Sequence, residues 1–349
     1  MIDYGYCNAR VRGMKSRLLD RQFIERLIGA NKPSDIGKLL DETVYNEDMH
    51  EGSLRMSGIG GIEEGLRLNL NSTFQKVLDV LEGEPERVVR LLLERWDVQN
   101  IKTVLRGKHV GADTEEIVES FVPAGSMTEA TLTSLAKEPN IRAAIDLMAT
   151  WEIEFSKPLT QSFPAYATSQ SLAVLELALD KYYYESTLIK LSNKSFEAAA
   201  ARQLIYEQIE FSNIMILLRL VNEGTSEFAE RFYTEGRDKL SFKLFKELAS
   251  SNSIDSLIAR LAETSLYGQF SQSFETYRSL NSLAALERSL EERLIRKTIR
   301  LFNADPLTIF VVIAYLWAKV NEVVNVRIIL RAKEAGMPVP AIRDALVLV

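Results

Sequence analysis

The apolar positions of this chain recur at helical intervals from one end to the other. Leu18, Phe23, Leu27 and Ile28 give residues 8–28 an apolar side. Pro33-Ser34-Asp35 opens a short helix that reaches Thr43, since a proline in the first turn loses no hydrogen bond. Residues 45–61 are polar and glycine-rich and read as a loop. Helical periods return over 62–81 and 85–108, separated by the breaker Gly83-Glu84-Pro85. Shorter helical pieces follow at 114–120, 128–137 and 141–155, with Pro123, Pro139 and Pro158 as punctuation. Two long helices, 169–191 and 196–221, flank a tight antiparallel turn that ends in a capping serine, Ser195. Helices are then expected over 240–248, 254–264 and 280–302. Asp305-Pro306 caps a further long helix that runs to residue 335, where Gly336 and Pro338 stop it. Residues 340–346 form a last short helix, and no stretch alternates as a strand does, so the expected class is all-α.

Within this helical chain one pattern occurs three times: an acid, two residues, Asn, a β-branched residue, two residues, two aliphatics and Arg. It begins at Asp97 with Asn100, at Glu210 with Asn213 and at Glu322 with Asn325, and the acids are 113 and 112 residues apart. Glu63-x-x-Leu66, Glu176-x-x-Leu179 and Glu287-x-x-Leu290 precede those acids by 34, 34 and 35 residues. Leu40-x-x-Thr43, Leu147-x-x-Thr150 and Leu261-x-x-Thr264 come earlier in each unit. Nine short motifs in one order at matched separations predict a triplicated helical unit, with repeats at 1–113, 114–227 and 228–349.

Composition narrows the function. The chain has 349 residues, 26% of them charged, and a net charge of -6, which argues against a nucleic-acid partner. A single cysteine, Cys7, excludes an internal disulfide framework. No secretory signal is expected, because Met1-Ile2-Asp3-Tyr4 carries an early acid and no apolar block follows. The longest apolar run, 307–318, is too short to span a bilayer and reads as a buried core segment.

Candidate chemistry is sparse. His50 and His109 do not stand at metal-ligand spacing, so no metal site is expected. Ser57-Gly-Ile-Gly-Gly61 lacks the Lys-Ser/Thr of a phosphate loop, and no nucleophile elbow or zinc-protease motif is present. No catalytic residue, cofactor or cofactor-binding residue is therefore assigned. The repeated acid and Asn lie three residues apart, on one helical face, although Asn is a mediocre helix former. They read as buried polar pairs that fix helix register; the alternative is that three such pairs line a common axis and grip a partner. Arg10, Arg17 and Arg21 recur at i, i+7 and i+11, either as a solvated face or as a docking stripe for an acidic partner. Gly13 in the same helix marks a close helix crossing.

Two segments carry a family resemblance. Tyr4-Gly-Tyr6-Cys-Asn8-Ala-Arg10-Val-Arg12-Gly-Met14-Lys-Ser-Arg17-Leu-Leu resembles the opening of the C subunit of A-type/V-type ATP synthases, a family that includes the d subunit of vacuolar ATPases. Ala318-Lys-Val-Asn-Glu322-Val-Val-Asn325-Val-Arg-Ile-Ile-Leu-Arg331-Ala-Lys333 is similar to that family's last long helix. The resemblance implies a non-catalytic rotor part of the central stalk, funnel-shaped and built from three similar units in approximate threefold symmetry. It implies a peripheral membrane protein on the cytoplasmic side, seated on the membrane proteolipid ring and receiving the central shaft made of the D and F subunits. Arg10, Arg12, Lys15 and Arg17 are the candidate partner contacts. A helical-repeat scaffold of some other complex is the alternative.

Overall fold

A computed structural model describes residues 4–122, 124–224, 229–237, 239–303 and 307–348. Among them every regular element is a helix. A lone N-terminal helix, α1 (Tyr4–Lys15), comes first, and the order of elements then runs three times through one scheme. The scheme is a pair of short helices, a hairpin, one long helix and a short closing helix. The short pairs are α2 (Arg21–Gly29) with α3 (Pro33–Leu40), α8 (Glu129–Lys137) with α9 (Ile141–Thr150), and α14 (Phe242–Ala249) with α15 (Ile254–Leu261). The hairpins are α4 (Asn46–Arg55) with α5 (Gly58–Leu78), α10 (Ser156–Ser169) with α11 (Ala173–Lys190), and α16 (Tyr267–Leu280) with α17 (Leu283–Arg300). The long helices are α6 (Glu84–Val110), α12 (Phe196–Glu223) and α18 (Phe310–Glu334). The closing helices are α7 (Thr114–Glu119), α13 (Ala229–Phe232) and α19 (Val339–Ala345).

The chain divides into two compact units, residues 1–141 with 295–349, and residues 142–294. In the first, α18 packs on α1, α2, α3, α5 and α19, so the last long helix is seated among the first helices. Its sequence explains the position: α18 is apolar on nearly every face, and residues from Val311 to Ala332 are buried around its whole circumference. In the same unit α6 packs on α7 and α8. In the second unit α12 packs on α11, α13, α14 and α15 around Phe245, Leu257, Leu266 and Phe274. α6 thus rests on α8, α12 on α14 and α15, and α18 on α2 and α3.

Several sequence expectations are corrected. The stretch 8–28 is two helices, because the Asp20 side chain caps α2 by accepting from Phe23 N at 2.7 Å. Arg10, Arg17 and Arg21 therefore do not share one continuous helical face. Gly13 marks no crossing within the chain, as a Cβ there would meet nothing within 4 Å. The glycine-rich stretch 45–61 is mostly helical. A Cβ on Gly52 would overlap the backbone of Gly61 and Gly65, so these glycines let α4 and α5 touch main chain to main chain. α10 and α16 are further helices that the periodicity does not predict; Pro158 stands in the first turn of α10, where it is tolerated, and Pro164 inside it. The punctuation at Pro123 and the cap at Asp305-Pro306 lie outside the described residues.

Candidate functional site

The three repeated asparagines do the same thing. Asn100 Nδ2 donates to Val122 O, and Val122 N donates back to Asn100 Oδ1, both at 2.8 Å. Asn213 makes the same two-way bond with Thr234, at 2.8 and 3.2 Å. Asn325 makes it with Val347, at 2.8 and 3.1 Å. The partner lies 22, 21 and 22 residues downstream. In each case a side-chain amide in a long helix pairs with one main-chain unit of a returning segment, as a neighbouring strand would. The asparagines are 1%, 1% and 4% exposed; the clamps at Thr234 and Val347 are buried, and that at half-exposed Val122 is partly so. Asn321 adds a second donor to Val347 O at 2.8 Å.

The paired acids differ among the copies. Asp97 is fully buried and accepts from Ser126 N, Ser126 Oγ and Met127 N, all at 2.8 Å. Burial raises its pKa against the pull of those three bonds. Gly125 is required there, since a Cβ would overlap the Asp97 carboxylate. Glu210 receives Gln269 Nε2 at 3.3 Å in the amide orientation that also lets Gln269 accept from Lys239 Nζ at 2.7 Å. Glu322 receives Tyr45 Oη at 2.6 Å, Lys319 Nζ at 2.8 Å and the main-chain N–H of Leu19. Lys319 Nζ also donates to Tyr45 Oη at 2.7 Å. Tyr45, Lys319 and Glu322 form a buried polar triad, and burial first, then Glu322, holds the Tyr45 phenol well above its ordinary pKa.

The other repeated motifs also find local roles. Thr43 Oγ1 donates to Leu40 O at 2.6 Å and accepts from Tyr45 N at 3.2 Å. Thr264 repeats this with Leu261 O at 2.7 Å and Leu266 N at 3.3 Å. Thr150 differs and donates to Asp146 O at 2.9 Å. Glu63 receives the terminal arginine of the third Asn motif, Arg331, through Nε at 2.6 Å. Glu287 receives that of the second, Arg219, at 3.2 Å.

The basic residues of α1 stand apart from the clamps. Arg10 is exposed and donates to Tyr6 Oη at 2.9 Å. Arg12 and Lys15 share the Phe302 ring, at 5.0 and 3.5 Å from its centroid. Arg17 is exposed in the link between α1 and α2. The structure thus brings Arg12 and Lys15 together on one aromatic ring and leaves Arg10 and Arg17 outside that contact. Tyr45 and Lys319, which complete the triad, escape sequence reasoning. The available signal is Lys319 three residues before Glu322, on the same helical face.

Among the described residues no group of three or more His, Cys, Asp or Glu could hold a metal ion, and no helix is long and apolar enough to cross a membrane. Each acid of the repeated motif is held by donors of its own fold.

Comparison with known proteins places these observations in context. The model of a family described as ATP synthase (C/AC39) subunit matches residues 7–345. The chain is 31% identical to the C subunit of the A-type ATP synthase of Methanococcoides burtonii, over 99% of this chain and 94% of that protein. It is 29% identical to the protein of the same name from Methanosarcina mazei, over 99% and 93%. For that of Methanocaldococcus jannaschii the identity is 25%, over 99% and 87%.

Proposed function

Because the chain belongs to the ATP synthase (C/AC39) subunit family, we propose that it is a non-catalytic rotor subunit of the central stalk, a socket between shaft and membrane ring. In this reading it sits on the cytoplasmic side of the membrane as a peripheral protein. The shaft of the D and F subunits enters it, and it rests on the proteolipid ring. Three repeats, 1–113, 114–227 and 228–349, form a pseudo-threefold funnel. Arg10, Arg12, Lys15 and Arg17 are its candidate contacts with those neighbours.

The observation that carries the reading is the thrice-repeated asparagine clamp. A part that transmits torque has to resist shear between its long helices and the segments that return across them. A buried two-way hydrogen bond resists that shear better than apolar contact alone, because it is directional and its loss strands polar groups. Such a part needs no reacting group, and the repeated polar residues are consumed by internal bonds. The seating of α18 among α1, α2, α3 and α5 supports a stiff body in the same way.

Affinity purification of the tagged chain from native membranes tests this. The proteolipid and the central-shaft proteins should co-purify in fixed ratio. Recovery of catalytic-head or peripheral-stalk proteins without either of them would overturn the socket role.

A further inference from the structure

α1 buries one face and turns the other outward. Tyr4, Cys7, Asn8 and Val11 are buried, α1 packs on α18, and Asn8 Nδ2 donates to Thr308 O at 3.1 Å. At about 100° per residue the buried positions centre on one side of the helix, and Ala9 and Gly13 lie opposite them. Both are exposed, and a Cβ on Gly13 would meet nothing within 4 Å. Exposed Arg12 flanks this strip on one side, and exposed Tyr6 and Arg10 flank it on the other.

The cations of this face are already placed. Arg10 Nη1 donates to Tyr6 Oη at 2.9 Å, and its guanidinium lies 5.8 Å from the centroid of that ring. Arg12 and Lys15 rest on Phe302. Burial, and then the Arg12 charge, lowers the Lys15 pKa, a repulsion that an approaching anion relieves. From Tyr4 to Leu19 the sequence carries Arg10, Arg12, Lys15 and Arg17 and no acid, in a chain of net charge -6. The next acid, Asp20, is engaged in capping α2.

Such a face selects its partner by charge complementarity. Arginines held against aromatic rings keep one geometry, and their planar fork matches a carboxylate. A lipid surface instead takes up apolar side chains directed outward. The apolar residues Tyr4, Cys7 and Val11 are buried on the inner face, and the one large apolar group directed outward is Tyr6.

We infer that the outer face of α1 docks an acidic protein segment, which lies over Ala9 and Gly13 with its carboxylates on Arg10 and Arg12 to either side. The close crossing that Gly13 suggests is then made by a partner from outside the chain. The inference rests on the socket reading for the presence of a neighbour, and it adds that neighbour's chemistry.

A photoreactive side chain tests it in the assembled complex. p-Benzoylphenylalanine replaces Ala9 in the full-length chain, native membranes are irradiated, and the adducts are digested and sequenced by mass spectrometry. The adduct should be a peptide of a neighbouring protein with several Asp or Glu close to the point of attachment. Its yield should fall several-fold when Arg10→Gln is added. Adducts to lipid, adducts to a segment without acids, or no adduct at all overturn the inference. An acid-rich adduct from a protein outside the shaft and ring supports it and overturns the socket reading instead.

A second measurement needs no photoreactive group. Arg10 and Arg12 are exposed and Lys15 stays on Phe302, so Arg10→Gln combined with Arg12→Gln keeps the fold, which an unchanged melting temperature verifies. The salt concentration that releases half of the chain from native membranes should fall several-fold in this double variant. Arg26→Gln, which removes the exposed cation paired with Glu42, should leave it unchanged. Unchanged release of the double variant, or an equal change in Arg26→Gln, overturns the inference.

Discussion

Asn213→Ala isolates the clamp most cleanly. Its two bonds serve the N–H and C=O of Thr234, a residue only 2% exposed. Truncation leaves both main-chain groups buried without a partner, at about 1–3 kcal/mol each. A total of about 3 kcal/mol corresponds to roughly a hundredfold rise in opening. Asn325→Ala should cost less, about 1–2 kcal/mol, because Asn321 Nδ2 still serves Val347 O and only the Val347 N–H is stranded. Hydrogen exchange followed by mass spectrometry reads both. Peptides covering 229–237 should exchange roughly a hundredfold faster in Asn213→Ala, and those at 346–348 only about tenfold faster in Asn325→Ala. Less than about a threefold effect in Asn213→Ala, or a larger effect in Asn325→Ala than in Asn213→Ala, would refute the clamp argument.

Three further predictions follow from the same structure. Gly52→Ala forces α4 away from the backbone of Gly61 and Gly65 and should cost about 1–3 kcal/mol, whereas Gly13→Ala fills open space in a helix and should gain about 0.5–1 kcal/mol; melting temperatures should move in opposite directions. Lys319→Met leaves the Glu322 carboxylate buried without its cation and should cost about 3–5 kcal/mol by urea denaturation, and the double variant with Glu322→Gln should recover part of that loss. Burial raises the Asp97 pKa, so between the ordinary aspartate value near ~4 and the folded value the native chain binds more protons than the unfolded one. The stability of the native sequence relative to Asp97→Asn should accordingly fall as pH rises through that window; a relative stability that grows with pH contradicts the assignment.

Much of the fold could be read from spacing alone. The long helices announce themselves by periodic apolar residues, and the acid–Asn–Arg pattern marks its three copies because the same clamp recurs in each. What escaped did so for identifiable reasons. α4, with the sequence NEDMHEGSLR, buries only Met49 and Gly52, so it carries no apolar stripe, and its glycine looks like a loop residue until the α5 backbone is seen against it. Pro158 and Pro164 disguise α10, though the first falls in the opening turn. Asp20 divides the first predicted helix by capping the next, a choice local periodicity does not record. The clamp partners Val122, Thr234 and Val347 were invisible because they contribute only main-chain N–H and C=O, which any residue but proline offers. The Tyr45–Lys319–Glu322 triad joins residues more than 270 positions apart, and its pairing exists only once α18 is seated among the first helices.

The socket role is tested most directly by crosslinking mass spectrometry on the intact membrane complex. The account predicts that Lys15, beside Phe302 on the basic helix α1, crosslinks to a protein of the central shaft or to the cytoplasmic loops of the proteolipid. Crosslinks from this chain confined to the catalytic head or the peripheral stalk would contradict it.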